Sequence, residues 1–290
     1  MNRRSGRSVI IASDFRSVKR PGPEPVRVPA RAVIMRSVRA AGMRNLRMVV
    51  SYVGTRFAGW QVQPGRATVQ GILEERISRM LQEPVRIAGA GRTDAGVHAR
   101  AQVANVFVSS RIPVPGLLRG LNARLPPDIA LMHAEEAPES FHARAGARAK
   151  EYLYRISRAE VVSPFDAPFV VPVHGRLDVE AMREAARLFL GTHDFTSFCP
   201  ADSEIEDKVR TLSVSEVTED GAEVRYRVIG NGFLRHMVRT LAGTLILAGR
   251  GRLDSGSIPH ILKARDRRQA GPVAPARGLV LERVLYEGVS

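Results

Sequence analysis

Apolar residues recur along most of the chain at two spacings, which predict strands and helices. In 151–156, Tyr152, Tyr154 and Ile156 alternate with Leu153 and Arg155, and such alternation is typical of a strand. In 69–82 the apolar positions instead recur every three or four residues, which indicates an amphipathic helix. These criteria predict strands at 46–52, 85–88, 102–108, 129–134, 151–156, 209–217, 222–229 and 278–286, and helices at 69–82, 115–125, 179–190, 233–248 and 257–264.

Strands and helices are mixed in both parts of the chain, which indicates an α+β fold. We expect an N-terminal α/β half at 45–146 and a C-terminal α/β half at 147–290, with a cleft between them. Thr68 and Asp178 are predicted to cap the helices that follow them, and Asp220-Gly221 to turn a hairpin. The predicted helix 179–190 turns Leu190 inward, and 193–198 is expected to be a loop.

Residues 1–44 show neither spacing and differ from the rest in composition. Prolines and arginines at this density favour a disordered, basic arm. The alternative is that translation begins at Met35 or Met43, just before the first predicted strand. The apolar run 9–12 is too short for a secretory signal, and an Arg-rich targeting peptide is the weaker alternative.

Composition narrows the classes of function. The chain of 290 residues has a single cysteine, Cys199, and seven histidines without metal-ligand spacing, so we expect a cytoplasmic, metal-free protein. No apolar run approaches the roughly 20 residues needed to cross a membrane. The net charge of +15 favours a polyanionic partner. Residues 1–48 contribute twelve Lys/Arg against two acids, so the remainder is only mildly basic.

The stretch 89–99 concentrates the candidate chemistry. Glycines and alanines leave little side-chain bulk around Asp94, and Arg92 lies two positions before it. The carboxylate is a candidate base or nucleophile, although a turn cap or a salt bridge to an arginine would also explain it. The glycine spacing excludes a dinucleotide fingerprint and a phosphate-binding P-loop. The loop lies between two predicted strands, which is a common way to position a reactive group.

Two further sets of residues are typical of RNA binding. The basic, low-bulk stretch 141–150 (with Arg144, Arg148 and Lys150) precedes Tyr152, so a phosphate and a stacked base are both possible there. Ordinary half-buried tyrosines are the alternative. Arg235 and Arg239 lie four apart in the predicted helix 233–248, where they share a face. They are solvated, or they hold a phosphate or the Asp94 carboxylate. The His193-Asp194 pair has no nucleophile beside it, and we interpret it as a structural turn.

Several separated motifs resemble the tRNA pseudouridine synthase A family. The central one is 91–99, Gly-Arg-Thr-Asp-Ala-Gly-Val-His-Ala. Supporting matches lie, in order, at 52–55, 59–61, 150–154, 194–198, 231–239 and 274–279, so the resemblance covers roughly 45–286. Val53 departs from the acidic residue usual in the family, which weakens any role for its loop but leaves the central motif whole.

The resemblance implies a pseudouridine synthase fold, with mixed or antiparallel sheets flanking a central catalytic cleft. It also implies a homodimer without cofactor or metal, which isomerises uridine to pseudouridine at positions 38, 39 and 40 of the tRNA anticodon stem-loop. Asp94 is then the catalytic residue, and Arg239 pairs with it and keeps it ionised. Tyr152 stacks on the uracil, and Arg92 fills the stack that the flipped uridine leaves. Further substrate-binding candidates are Thr93, His98 and Arg235.

Two other functions fit the same residues. One is a basic RNA-binding or RNA-folding protein in which the Asp94 loop is structural. The other is an N-glycosidic hydrolase that uses Asp94 with water, although such enzymes usually need a second carboxylate and none lies near Asp94 in the sequence. The products distinguish the three functions: pseudouridine, no change, or free uracil with an abasic site.

Overall fold

The structure, a computed structural model, describes residues 42–287. The strands are β1 (Arg44–Tyr52), β2 (Ile87–Gly89), β3 (His98–Val108), β4 (Ile129–Ala137), β5 (Ala149–Ser157), β6 (Val171–Pro172), β7 (Gly191–Asp194), β8 (Val209–Asp220), β9 (Glu223–Gly230) and β10 (Leu279–Leu285). The helices are α1 (Val69–Leu81), α2 (Val114–Asn122), α3 (Val179–Arg187), α4 (Met237–Gly249) and α5 (Ile258–Ala264).

The described strands form one mixed sheet in the order β4-β1-β3-β10-β5-β9-β8-β7, with β2 beside β3 and β6 beside β5. Most neighbours are antiparallel, and β10 runs parallel to β3 through two residue pairs, Val280 with His98 and Leu281 with Ala99. The last strand of the chain therefore lies between strands from its two parts. The α+β class and the mixed sheet expected from the sequence are confirmed. The division at residue 146 stays a prediction.

Local signals explain why these elements form where they do. The Thr68 side chain accepts a hydrogen bond from the Gly71 backbone amide at the start of α1, and that of Asp178 accepts one from Ala181 at the start of α3. The residues of β5 that alternation assigns to one face, Tyr152, Tyr154 and Ile156, are all buried. The hairpin of β8 and β9 turns at Gly221, which has a positive φ of 57°.

Three local predictions were wrong. Helix α4 begins at Met237 rather than at 233, because His236 takes a left-handed conformation with φ of 61°, which helical backbone does not tolerate. Helix α3 ends at Arg187, so Leu190 lies beyond it and is 41% exposed instead of inward. The segment predicted as a loop at 193–198 contains the end of β7 and one turn of 3-10 helix, Thr196–Phe198.

The expected basic arm lies almost wholly outside the described residues, and Arg44 already belongs to β1. None of the helices in 42–287 has the length and apolar character needed to span a bilayer.

Candidate active site

The loop between β2 and β3 carries Asp94, and the surrounding backbone holds it on several sides. The Ala90 amide donates to the Val103 carbonyl at 2.8 Å, and the Gln102 side-chain amide donates to the Gly91 carbonyl at 3.0 Å. The Trp60 amide donates to the Thr93 carbonyl at 3.0 Å. These hydrogen bonds fix the path of the backbone that leads to Asp94.

Close packing against a glycine fixes the other end of the loop. Gly54 lies so near Val97 that a Cβ atom on residue 54 would stand 1.9 Å from the Val97 carbonyl oxygen. Only a glycine permits this approach. The backbone amide of Gly54 also donates to His98 Nδ1 at 3.1 Å, at the first residue of β3.

The Asp94 carboxylate is paired with a guanidinium from α4. Arg239 Nη1 donates to Asp94 Oδ2 at 3.0 Å, across 145 residues of sequence. The Asp94 side chain is 25% exposed and that of Arg239 16%. Arg239 Nε donates at 2.8 Å to the Ala274 carbonyl, whose residue in turn donates its backbone amide to the Arg239 carbonyl. The guanidinium is therefore fixed on two sides, while Asp94 stays open to a ligand.

His236 is a second group at the same oxygen. Its Nε2 lies 3.7 Å from Asp94 Oδ2, and its side chain is 34% exposed. Burial lowers the pKa of His236, the Asp94 charge opposes that effect, and the Arg239 charge adds to it. Left-handed backbone is uncommon for a residue other than glycine and is often found at functional sites. The sequence placed His236 inside the motif 231–239 but gave no reason to single it out.

Tyr152 lies on the face of β5 that packs at this site. Its ring is 7% exposed and meets the Phe233 ring edge-on, with 5.0 Å between centroids. Burial, then the charges of Tyr52 and Asp94, raise the pKa of Tyr152 far above its usual value. Its hydroxyl stays protonated at neutral pH, and the contact with Phe233 fixes the orientation of its ring.

Comparison with known proteins identifies the family. The family model described as tRNA pseudouridine synthase matches residues 48–144 and 185–287, more than half of the chain. The chain belongs to the tRNA pseudouridine synthase family. It is therefore an isomerase of a family that forms pseudouridine in tRNA.

Curated relatives agree with this assignment over most of the chain. The tRNA pseudouridine synthase A of Solibacter usitatus is 48% identical over 248 residues, which are 84% of this chain and all of that protein. That of Exiguobacterium sp. is 45% identical over 85% of this chain and all of that protein. That of Geobacillus kaustophilus is 45% identical over 84% of this chain and 95% of that protein.

Two of the predicted substrate-binding residues of this synthase lie inside the protein. The Thr93 hydroxyl shares a 2.8 Å hydrogen bond with the Tyr52 hydroxyl, and Thr93 is 7% exposed. His98 is 3% exposed, and its Nε2 lies 3.1 Å from the Pro168 carbonyl. Because the Gly54 amide donates to Nδ1, the Nε2 proton is the one donated to Pro168. Both side chains therefore support the loop from inside the protein, and a contact of either one with substrate stays a prediction.

The two arginines expected to share a helix face are separated in the synthase. Arg239 is in α4, whereas Arg235 precedes it and is ion-paired with Asp202. The expectation that they share a face was wrong, because the backbone at His236 interrupts the helix. Arg148, a candidate phosphate ligand, is ion-paired with Glu287. Arg92 is exposed, and within the described residues it has no ion pair or side-chain hydrogen bond.

The resulting site of the synthase presents one carboxylate between a guanidinium and an imidazole, beside an aromatic ring. Neither Arg239 nor His236 is paired with a second carboxylate among residues 42–287. No three His, Cys, Asp or Glu side chains of those residues are grouped to hold a metal ion. This arrangement suits a single anionic nucleophile or base more than a pair of carboxyl groups that share acid and base roles.

Proposed function

We propose that this chain isomerises uridine to pseudouridine at positions 38, 39 and 40 of the tRNA anticodon stem-loop, with Asp94 as the catalytic carboxylate and without a cofactor. The observation that carries the proposal is the 3.0 Å pair between Asp94 and Arg239, which fixes a carboxylate that is still 25% exposed. The match of the family model over both parts of the chain supports the reaction. The positions 38–40 rest on the sequence resemblance.

The reaction is an internal rearrangement. The N1–C1′ bond breaks, the uracil turns in place, and C5 forms a bond to C1′. C5 then loses its proton, and N1 gains one, so atoms balance without a co-reactant. Asp94 attacks C1′, attacks the uracil ring, or removes a ribose proton, and each route needs an anionic carboxylate at a fixed position. Arg239 supplies both the countercharge and the orientation.

Binding places the uridine before the chemistry begins. The nucleotide must leave the helical stack, which costs a few kcal/mol. Tyr152 offers the uracil an aromatic surface already fixed by Phe233, and exposed Arg92 fills the gap in the stack. We further propose, from the resemblance, that the enzyme is a cytoplasmic homodimer.

The test is a pseudouridine map of unmodified tRNA after incubation with wild type, Asp94→Asn and Asp202→Asn. The last is a matched control, because Asp202 is a highly exposed acid bound to Arg235. We expect pseudouridine at 38–40 with wild type and Asp202→Asn, and none with Asp94→Asn, whose tRNA affinity stays within a few fold. Pseudouridine made by Asp94→Asn would refute the catalytic role.

The same experiment separates the competing functions. Free uracil and an abasic site would identify a hydrolase. Binding by wild type without any product would identify a non-catalytic RNA-binding protein. Pseudouridine at other tRNA positions would keep the reaction and refute the assignment to the anticodon stem-loop.

A further inference from the structure

Three cations lie together beside the Asp94 loop. Lys150 on β5 is two residues before Tyr152 and therefore lies on the same face of the sheet. Arg144 and Arg210 lie near enough for their charges to act on the Lys150 ammonium. Burial, followed by these two charges, lowers the pKa of Lys150. The two arginines thus add positive charge beside a lysine that is itself partly desolvated.

No carboxylate in the described part of the chain neutralises this cluster. Across residues 42–287, none of the three side chains is ion-paired with a carboxylate, and Arg210 Nη1 donates only to the backbone carbonyls of Asp207 and Val209. The opposite face of β5 differs, because Glu151 accepts hydrogen bonds from Arg227 and Arg283 at 2.6 Å each. Cations on that face have their counterion within the protein, whereas the cluster of Lys150, Arg144 and Arg210 has none among the residues that the structure describes.

The cluster adjoins the loop that carries Asp94. A Cβ atom on Gly91 would stand 3.1 Å from Lys150 Cε and 4.0 Å from its Nζ. The lysine stem therefore packs on the loop three residues before Asp94, and it fits because residue 91 has no side chain. Arg210 packs on Gly232 in the same way, since a Cβ atom on residue 232 would lie 3.3 Å from Arg210 Nε.

We propose that Lys150, together with Arg144 and Arg210, binds one backbone phosphate of the RNA next to the uridine that enters the Asp94 site. A compact ammonium flanked by guanidinium donors suits a phosphodiester, which brings one full negative charge and two free acceptor oxygens. A phosphate held here would anchor the strand beside the flipped nucleotide and offset part of the cost of flipping. The inference rests on the proposed RNA-modifying function, and it is independent of which tRNA positions are modified.

Lysine variants test the charge directly. Lys150→Met keeps the length of the stem that packs on Gly91, Lys150→Arg keeps the charge, and Lys263→Met removes an exposed lysine on α5. For Lys150→Met we expect tRNA to bind about tenfold more weakly, as for loss of one charge-assisted hydrogen bond. The slope of log affinity against log salt should fall by about 0.7–0.9, the value for one phosphate. Lys150→Arg should restore binding to within about threefold of wild type, and Lys263→Met should match wild type.

Neutralising single phosphates of the RNA identifies the one that Lys150 binds. Single phosphates of an anticodon stem-loop RNA are replaced in turn by neutral methylphosphonates. We expect one linkage next to the target uridine to weaken binding to wild type and to have no further effect on Lys150→Met. If every linkage weakens both proteins equally, or if Lys150→Met changes only the single-turnover rate at saturating RNA, the phosphate assignment is refuted. Thermal melts of all variants identify a loss that comes from unfolding.

The position of the modified uridine is scored separately in the same RNA. If pseudouridine forms outside 38–40 while one linkage still depends on Lys150, the proposed positions fail and the phosphate site holds. If pseudouridine forms at 38–40 without such a linkage, the phosphate site fails and the proposed function holds.

Discussion

The Arg239 side chain sets the orientation of the Asp94 carboxylate. Its guanidinium donates through Nη1 to Asp94 and through Nε to the Ala274 carbonyl, two partners in different directions. A lysine has a single charged nitrogen at the end of a flexible stem, and it cannot reproduce both contacts with the same geometry. The orientation of the Asp94 carboxylate therefore depends on the guanidinium shape as well as on its charge.

We predict that Arg239→Lys lowers kcat about 10- to 100-fold, the equivalent of a charge-assisted hydrogen bond of about 1.5–3 kcal/mol. The affinity for tRNA should change less than threefold, because the charge is kept. Steady-state kinetics at saturating tRNA measure kcat, and equilibrium binding measures the affinity. Arg187→Lys is the control, since Arg187 forms a highly exposed ion pair with Glu180 and such pairs contribute little. Equal kcat for the wild type and Arg239→Lys would contradict the orienting role.

At the level of elements, periodicity predicted the interior of each strand and helix better than its ends. The helix stripe continues through Phe233 and Leu234, so nothing in the hydrophobic pattern marks the true start of α4 at Met237. The left-handed backbone at His236 is a tertiary feature, and it also separates Arg235 from Arg239. Strand β7 has four residues at the end of the sheet, too few for an alternating pattern to show.

The segment at Gly54 is a rigid support for the Asp94 loop, and its tolerance to substitution can be measured. In Gly54→Ala the new Cβ would meet the Val97 carbonyl oxygen at 1.9 Å, so backbone on one side must move. We expect a loss of about 1–3 kcal/mol in the free energy of unfolding, measured by urea denaturation. We also expect a lower kcat, measured where the variant is folded.

Gly116→Ala is the matched control for Gly54→Ala. Gly116 lies in α2, its φ is not positive, and its new Cβ would have its nearest neighbour at an ordinary 3.6 Å. An alanine there should raise the free energy of unfolding by about 0.5–1 kcal/mol, because glycine weakens helices. Activity should be unchanged. If the two substitutions had the same effect, the close approach at Val97 would not matter.

The pairing of β5 with β9 includes an ion pair that responds to acid. Arg155 donates through Nε and Nη2 to the two carboxylate oxygens of Glu223, at 2.8 Å each, and both side chains are 20% exposed. The hydrogen bonds from Arg155 are the main cause that lowers the pKa of Glu223 to about 2. Since the folded-state pKa lies below that of the unfolded chain, the pair stabilises the fold above about pH 4.5. That stability is lost as the pH falls towards 2.

We therefore expect Glu223→Gln to lower the free energy of unfolding by about 2–3 kcal/mol at pH 7 and to flatten its dependence on pH between about 4.5 and 2. Urea unfolding at a series of pH values measures both effects. Glu287→Gln removes the partner of exposed Arg148 and should leave the free energy of unfolding close to that of the wild type. The prediction fails if wild type and Glu223→Gln lose stability in parallel as the pH falls.

Over the whole molecule, the site depends on contacts that no local pattern contains. Asp94 and Arg239 are 145 residues apart, and they meet because β10 joins β3 to β5 in the middle of one sheet. From the residues alone, the arginines of the α4 segment had three possible roles. Only the resemblance to a family paired Arg239 with Asp94. Loop bulk and composition could indicate that Asp94 was reactive, but the choice of its partners is a property of the folded chain.

Positive charge is concentrated near the N-terminus of the chain. Residues 1–48 hold twelve of the 44 basic residues and only two of the 29 acids, so the remainder is mildly basic. The first strand of the described residues, β1, starts at Arg44, whose side chain is ion-paired with Glu136. A deletion of residues 1–42 therefore removes much of the excess charge and keeps every strand that the structure describes.

We expect the deletion to leave the rate of pseudouridine formation at saturating tRNA unchanged. It should also weaken the dependence of tRNA affinity on salt, because each phosphate no longer neutralised lowers the slope of log affinity against log salt by about 0.7–0.9. Single-turnover rates and binding at several salt concentrations measure the two effects. An inactive deletion would show that the first 42 residues contribute to catalysis. An unchanged slope with full activity would show that their charge does not contact RNA, and that tRNA binding depends on cations of the folded part such as Arg92 and Lys150.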